Sequence, residues 1–261
     1  MAVELVVKSG GRGVDVDVDT DAIWNARVEL AAALQISGHH GYSEGVDNHF
    51  SAVVPGRSDL FLINPYGLAF REVVASSIAV CDFEGNVYSG NGRPEATAFW
   101  IHARIHMRRP DVKALFHTHM PYATSLCMLD IDPFDWSLQT SMKFYDRIAI
   151  DRNYNGFALS ENEGDRIADA MDGKPIVFMQ NHGVAVGAPS IAEAWDDLYF
   201  LERAAETQVK ALSTGLKTVP VDIGIVKTVA AAERASAVDS ARLHFASIKR
   251  FLDKAQSDYA S

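Results

Sequence analysis

The 261-residue chain has no run of lysine or arginine, and its formal net charge is −10. A surface that follows nucleic-acid phosphates needs clustered positive charge, so this composition argues against a DNA- or RNA-binding protein. No stretch approaches the roughly 20 apolar residues that a membrane-spanning helix requires. The amino terminus also lacks the basic start and apolar core of a secretion signal. The sequence therefore predicts a cytoplasmic protein with neither a nucleic-acid nor a membrane partner.

Cysteine is scarce as well. The chain has two, Cys81 and Cys127, at no spacing typical of a metal site or a redox pair. We expect both to be small buried side chains in a reducing compartment, and we predict no disulfide. The Gly-x-Ser-x-Gly nucleophile elbow, the phosphate-binding P-loop and the dinucleotide fingerprint are all absent. These absences argue against a serine hydrolase and against the commonest nucleotide-binding enzymes.

The order of predicted elements indicates a single domain that mixes helices and strands. Residues 1–20 are rich in glycine and alternating aspartate, and we expect a poorly ordered leader there, followed by one domain over 21–261. Helical patterns cover 22–35, 95–109, 161–171, 191–212 and 225–255. Strand patterns cover 50–54, 60–63, 77–81, residue 87, the segment before residue 120, 148–150, 175–179 and 184–187. Helices and strands do not alternate strictly, so we predict an α+β or a three-layer α/β/α domain with a mainly antiparallel sheet.

Two histidines one residue apart, His117 and His119, lie in the run Phe-His-Thr-His-Met-Pro. Residues i and i+2 of a strand face the same side, so both imidazoles would project from one face of the predicted strand. This spacing suits a metal ion if a third ligand comes from elsewhere, and the alternative is a half-buried strand edge. Pro121 is expected to end regular structure.

Two further residues are candidates to complete a metal or catalytic site. His182 lies in Gln-Asn-His-Gly between two strand patterns, where a loop delivers a side chain to a sheet edge. Its alternative is an ordinary turn histidine. Glu95 lies at a predicted helix N-terminus, where acidic residues are common because the helix dipole favours them. The functional alternative for Glu95 is a metal ligand or a general base.

The remaining histidines give weaker signals. His102 and His106 are four residues apart on a predicted helix, a spacing that can bind metal, but no glutamate of the His-Glu-x-x-His kind accompanies them. We expect one of three others to line a pocket: His39, His40 or His49.

In order along the chain, these residues resemble the class II aldolase/adducin family over roughly 22–212. The resemblance rests on Asn48 in Val-Asp-Asn-His-Phe-Ser, Asn-Pro-Tyr-Gly at 64–67, Cys-Asp-Phe-Glu-Gly-Asn-Val at 81–87, Arg-Pro-Glu-Ala at 93–96, His-Thr-His at 117–119 and Gln-Asn-His-Gly at 180–183. It implies that His117, His119 and His182 hold one divalent cation per chain, zinc first, with manganese or another divalent ion as alternatives. It also implies Glu95 as the acid/base residue, an α/β fold of the α/β/α sandwich type, and a homotetramer.

The chain departs from the sugar-phosphate aldolases of that family where those enzymes bind phosphate. They carry a Gly-Asn pair, a Ser-Gly after Thr-Pro, and a Ser-Ser before the glutamate. Here the same places read Asp-Asn at 47–48, Tyr-Gly at 66–67 and Arg-Pro at 93–94. Two hydroxyl-bearing places are lost, an acid replaces a glycine and an arginine is gained, so we expect an unphosphorylated substrate that bears a carboxylate. The expected substrate-binding residues are Asn48, Tyr66, Gly67 and Arg93. A structural salt bridge is the alternative for Arg93.

The activity implied by the resemblance is that of a divalent-metal-dependent carbon–carbon lyase, a decarboxylase or an aldolase, which acts on a small molecule through a metal-stabilised enolate. Three neutral imidazoles would leave the cation its full charge and an open position. The alternatives are a sugar-phosphate aldolase, an epimerase or dehydratase of the same family, and a non-catalytic adducin-like scaffold. Tyr259 is a candidate for the tyrosine that family aldolases use near the C-terminus, and a disordered tail is its alternative.

Overall fold

The structure, a computed structural model, describes residues 20–261, so the predicted leader lies outside the described residues except for Thr20. Its strands are β1 (His49–Val53), β2 (Leu60–Ile63), β3 (Ala79–Asp82), β4 (Val87–Ser89), β5 (Ala114–Thr118), β6 (Ile148–Asp151), β7 (Ile176–Met179) and β8 (Gly183–Ala188). They form one sheet in the order β4-β3-β2-β1-β5-β8-β7-β6. All neighbours are antiparallel except β6 and β7, so the predicted mainly antiparallel sheet is confirmed.

The helices are α1 (Asp21–His39), α2 (Ala96–Arg108), α3 (Pro121–Cys127), α4 (Gln139–Met142), α5 (Glu161–Ala170), α6 (Ile191–Leu212) and α7 (Ile223–Lys254). Hydroxyls of Thr20, Ser160 and Ser190 accept backbone N–H groups at the starts of α1, α5 and α6. Such caps satisfy donors that have no partner within the helix. None of the helices in the described part of the chain is long and apolar enough to cross a membrane.

Helices cover both faces of the sheet and make three layers. On one face, the core includes Phe50 and Phe116 from the strands, Leu34 from α1 and Trp195 from α6. On the other, it includes Leu115 and Val177 from the strands, Ile101 from α2 and Ile167 from α5. Neighbouring residues of a strand point to opposite faces, so a strand buried on both sides is apolar throughout. The predicted α/β/α sandwich is confirmed.

The expectation that Pro121 ends regular structure was wrong, because Pro121 begins α3. Proline fits the first turn of a helix, where its missing N–H leaves no unpaired donor. The other free donors of that turn are satisfied by Glu202 of α6, which accepts from the N–H groups of Tyr122 and Ala123 at 2.9 Å each. Glu202 thus fixes the segment that directly follows His119.

The C-terminal tail packs against the body of the protein, so the disordered-tail alternative for Tyr259 was wrong. Tyr259 is 5% exposed and belongs to the core cluster that contains Trp195. Its carbonyl accepts the N–H of Ala75 at 2.9 Å, and its hydroxyl donates to Asp253 at 2.8 Å. These contacts give Tyr259 a packing role within its own chain.

Candidate metal centre

The structure brings His117, His119 and His182 together at one end of the central strand β5. His117 lies on β5 and is 1% exposed, whereas His119 follows the strand and His182 lies in the turn between β7 and β8. Since β8 pairs with β5, this turn lies beside the end of β5. One nitrogen from each ring lies within 4.8 Å of the other two.

The ring nitrogens are arranged as a metal ion requires. Nε2 of His117 and Nε2 of His119 lie 3.1 Å apart. Two imidazole nitrogens bound to one tetrahedral zinc, each 2.0–2.1 Å from the ion, are about 3.3 Å apart. Nδ1 of His117 donates to the carbonyl of Val184 at 2.9 Å, which leaves Nε2 of His117 unprotonated. The three histidines therefore fit a divalent cation.

Burial keeps two of these histidines neutral. It is the main cause that lowers the pKa of His117 well below its usual value, followed by the neighbouring His49, His182 and His119. Burial also lowers the pKa of His182 to about 4, with His119 as the second cause. A metal ion binds the neutral form of imidazole, so neither ring has to lose a proton at neutral pH.

Glu44, which the sequence analysis did not identify, contacts the ring nitrogen of His119 that faces away from the other two histidines. Its Oε2 accepts from Nδ1 of His119 at 2.5 Å, so Nε2 of His119 is free to face the centre. The backbone N–H of Glu44 donates to Oδ1 of Asn48 at 2.6 Å, which folds the loop before β1 towards the site. A carboxylate behind a ligating histidine fixes its tautomer and raises its basicity. No spacing signal links residues 75 positions apart.

Gly183 and Asn181 shape the turn that carries His182. A Cβ added to Gly183 would lie 2.7 Å from Cδ2 of His119 and 2.7 Å from the carbonyl oxygen of Thr118. Asn181 has a left-handed backbone with φ of 59°, which asparagine tolerates better than most residues. Asn181 and Gly183 thus suit the steric demands of this turn, which carries His182 between them.

Glu95 is the N-cap of α2. Its Oε2 accepts from the N–H groups of Thr97 at 2.6 Å and Ala98 at 2.9 Å, and also from the Thr97 hydroxyl. Its second carboxylate oxygen, Oε1, has no hydrogen-bond partner within residues 20–261. One oxygen anchors the side chain, and the other is available for chemistry.

α2 runs antiparallel to β5, so its N-terminus points towards the end of β5 where the three histidines lie. Near the C-terminus of α2, His106 contacts the carbonyl of Val112, which precedes β5. Earlier in α2, His102 contacts His49, which is paired with His117. Glu95 precedes His102 by two helical turns, about 10 Å along the helix axis. It therefore lies beyond His102 in the direction of the metal centre.

The loop after β2 and the loop before α2 meet. The N–H of Tyr66 donates to the carbonyl of Arg93 at 2.8 Å, so these two predicted substrate-binding residues are neighbours. Tyr66 is 50% exposed, and Gly67 has a left-handed φ of 92° with open space where a Cβ would be. Arg93 is exposed and forms no ion pair with any residue that the structure describes, so the structural salt bridge is not found there.

Asn48 holds a buried donor without an acceptor. The residue is 2% exposed, and its Nδ2 has no hydrogen-bond partner in the described chain. Its backbone carbonyl accepts from Nδ2 of Asn64 at 3.3 Å, which holds the residue in place. An unpaired buried donor costs about 1–3 kcal/mol, so this amide is suited to a ligand oxygen.

Residues 28–209 match the family model described as Class II Aldolase and Adducin N-terminal domain. The chain belongs to this family. A Caulobacter vibrioides protein whose name assigns it to aldolase class 2 is 33% identical over 206 residues, which are 77% of each chain. The resemblance predicted from the motifs is confirmed.

Two solved structures show how far the likeness to the class II aldolase fold extends. An aldolase II superfamily protein from Pseudomonas syringae superposes with a TM-score of 0.86 at 29% identity, over 95% of this chain and 100% of the other. An L-fuculose 1-phosphate aldolase from Glaciozyma antarctica superposes with a TM-score of 0.79 at 25% identity, over 90% of this chain and 92% of the other. Class II aldolases use a divalent metal, bind small molecules and often form oligomers, whereas adducins are not catalytic.

Proposed function

We propose that the chain is a divalent-metal-dependent carbon–carbon lyase, a decarboxylase or an aldolase, for an unphosphorylated small molecule that bears a carboxylate. The convergence of His117, His119 and His182, with two Nε2 atoms 3.1 Å apart, carries this proposal. Zinc is the proposed ion, with manganese or another divalent ion as alternatives, because imidazole binds several first-row metals. The bound cation supplies a Lewis acid that stabilises negative charge developing on a substrate oxygen.

Arg93 and Asn48 are the proposed binding residues for the polar groups of the substrate. The guanidinium of Arg93 is exposed and has no ion-pair partner among residues 20–261, so it is available to bind a carboxylate through two parallel hydrogen bonds. Nδ2 of Asn48 is buried beside the loop that carries Glu44, and it donates to a substrate oxygen in this proposal. Together they orient the substrate for cleavage.

Glu95 is the proposed acid/base residue. Its Oε2 is held by two N–H groups of α2, and its unpartnered Oε1 moves a proton to or from the substrate carbon or hydroxyl. Tyr66 and Gly67 lie in the loop that is bonded to Arg93. In this proposal Tyr66 covers the substrate at the place where sugar-phosphate enzymes have a serine. Fixed groups of this kind raise the rate because they need little reorganisation during the reaction.

The family supplies three alternative functions: a sugar-phosphate aldolase, an epimerase or dehydratase, and an adducin-like scaffold. A scaffold has no chemical need for three converging imidazoles with a carboxylate hydrogen-bonded to one of them. The homotetramer is a further proposal, and light scattering of the purified chain tests it. A monomer at micromolar concentration would contradict it.

The first experiment measures bound metal by elemental analysis of untagged protein. His119→Ala removes one ligand, and His39→Ala is the matched control because His39 is an exposed histidine of α1 outside the cluster. We expect about one divalent ion per chain in the wild type and in the control, and its loss in His119→Ala. A wild type that takes up neither zinc nor manganese after incubation would contradict the metal centre.

The second experiment identifies the reaction with a panel of 2-oxo acids, hydroxy acids, aromatic carboxylates and sugar phosphates. Release of carbon dioxide indicates decarboxylation, and release of an aldehyde indicates aldol cleavage. For the best substrate we expect Arg93→Lys to raise KM about tenfold or more, because lysine keeps the charge but loses the paired hydrogen bonds. Preferred turnover of a sugar phosphate would favour the first alternative instead.

A further inference from the structure

Three buried histidines outside the metal cluster form a continuous chain of contacts with one serine. Nδ1 of His49 lies 2.7 Å from Nε2 of His102, and Nδ1 of His102 contacts Oγ of Ser51. The same Oγ lies 2.7 Å from Nε2 of His106, whose Nδ1 lies 3.0 Å from the carbonyl oxygen of Val112. The four residues His49, Ser51, His102 and His106 are each at most 4% exposed. We call this chain the histidine relay.

The carbonyl of Val112 sets the direction of the relay because a carbonyl only accepts. Nδ1 of His106 therefore carries a hydrogen and donates it. Burial lowers the pKa of His106 to about 4, so the ring is neutral and its Nε2 accepts. The hydroxyl of Ser51 donates to that Nε2, and its oxygen then accepts from Nδ1 of His102.

The same reasoning extends to His49. Burial lowers the pKa of His102 well below its usual value, so its Nε2 has no hydrogen and accepts from Nδ1 of His49. Nε2 of His49 has no acceptor within the described residues, whereas Nδ1 has one in His102, so the ring hydrogen of His49 lies on Nδ1. Nε2 of His49 therefore carries a lone pair, and each N–H or O–H of the relay points towards Val112.

One end of the relay touches the metal centre. His49 on β1 is paired with His117 on β5, and their rings lie 4.8 Å apart with an interplanar angle of 33°. Val112 precedes β5, five residues before His117, which is roughly 16 Å along an extended strand. The relay thus follows β5 from beside a metal ligand to the opposite end of the strand.

We propose that Ser51, His102 and His106 are positioning residues that act on the metal centre through His49. The aligned hydrogen bonds put their positive ends away from the centre and their lone-pair ends towards it, which favours a bound cation. Aligned hydrogen bonds also polarise one another, so breaking one weakens the others. The contact of His49 with His117 transmits this order to a ligand ring. The inference rests on the proposed metal site, but it is independent of substrate and reaction.

The test changes Ser51, which lies in the middle of the relay and contacts none of the three ligands. Ser51→Ala removes the hydroxyl, and Ser51→Thr restores one. Ser37→Ala is the matched control because Ser37 is also 0% exposed and its hydroxyl accepts from Nε1 of Trp195 on the other side of the sheet. Solid-state nitrogen-15 spectra of histidine-labelled, metal-free protein report which ring nitrogen carries the hydrogen. Competition with a chelator gives the zinc Kd.

We expect the wild type to show Nδ1–H at His49, His102 and His106. In Ser51→Ala, His106 keeps Nδ1–H because of Val112, whereas His102 and His49 lose their fixed tautomer. The zinc Kd rises about tenfold, the low end of the range for residues behind a metal ligand. Ser51→Thr restores both the wild-type tautomers and the wild-type zinc Kd, and Ser37→Ala changes neither.

The proposal is overturned if His49 carries its hydrogen on Nε2 in the wild type. It is equally overturned if Ser51→Ala has the zinc Kd of Ser37→Ala, which would reveal a purely structural hydroxyl. Neither the tautomer measurement nor the zinc Kd requires turnover. A chain that binds zinc but is inactive on every substrate of the panel would contradict the proposed lyase and leave the relay intact.

Discussion

Nδ1 of His119 donates to Oε2 of Glu44 at 2.5 Å, although 75 residues separate the two in the sequence. The Glu44 side chain is 68% exposed, so this contact lies on the solvent side of the candidate metal centre. Exposed ion pairs contribute little to stability, so the role that we expect for this contact is to fix the tautomer of His119. The loop before β1 is therefore part of the site, even though it contains none of the three histidines.

Substituting Glu44 should weaken metal binding and leave the fold unchanged. We expect Glu44→Ala to raise the zinc Kd by about 10–100-fold, as for other carboxylates behind ligating histidines. Glu44→Gln keeps an acceptor for Nδ1 of His119, so its effect should be smaller. The free energy of unfolding should stay within about 0.5 kcal/mol of the wild type in both variants. Equal zinc Kd values for Glu44→Ala and the wild type would remove Glu44 from the centre.

Glu95→Gln should abolish turnover while metal content stays near the wild-type level. Glutamine retains a carbonyl oxygen that can accept from Thr97 and Ala98, so the helix cap survives, whereas proton transfer does not. We expect a loss of kcat of at least about a hundredfold. Glu95→Ala is the comparison variant, since it should lose about 1 kcal/mol of stability as well. Undiminished turnover of Glu95→Gln would show that another group moves the proton.

Gly183→Ala should disrupt metal binding through a steric clash. The new methyl group would lie 2.7 Å from the ring of His119 and 2.7 Å from the carbonyl of Thr118, and backbone atoms cannot move aside cheaply. We expect loss of most bound zinc and about 1–3 kcal/mol of stability. Gly173→Ala is the control, because Gly173 has a left-handed φ of 72° but open space around it. Gly173→Ala should lose stability without losing metal. Metal loss in Gly173→Ala but not in Gly183→Ala would exclude a local clash at Gly183.

Glu202→Gln should change how stability depends on pH. Burial, the largest cause, raises the pKa of Glu202 to about 7, although the N–H groups of Tyr122 and Ala123 lower it. A carboxyl with a raised pKa binds its proton more tightly in the folded state. Its contribution is therefore complete below the unfolded pKa near 4.5 and is lost as the pH rises through 7.

The change in pKa corresponds to about 3 kcal/mol across that window. Glutamine cannot ionise, so the difference in unfolding free energy, variant minus wild type, should rise between pH 4.5 and pH 7.5. Urea denaturation at several pH values measures this difference. A constant difference over the window would show that Glu202 does not titrate there.

Local patterns were sufficient to predict the strands and helices that carry the site. Alternation of apolar residues identified the region of β5, and Ser190 with Glu193 three residues later marked the start of α6, where the hydroxyl caps the helix. Such signals lie within a few residues of one another, so they are readable without a structure. Pro121 was misread because proline is common both after a strand and in the first turn of a helix. The bonds that Glu202 accepts from this turn come from a residue about 80 positions away and leave no local signal.

The sequence by itself determined the family and the layered fold and pointed to three candidate histidines, because motif order and periodicity are properties of the linear chain. Tertiary structure decided what surrounds those histidines. Glu44 reaches His119, and His49 lies against His117, only because a loop and a neighbouring strand are brought to the end of β5. These contacts join residues far apart in sequence, and their geometry depends on the packing of the whole sheet. No local pattern encodes them.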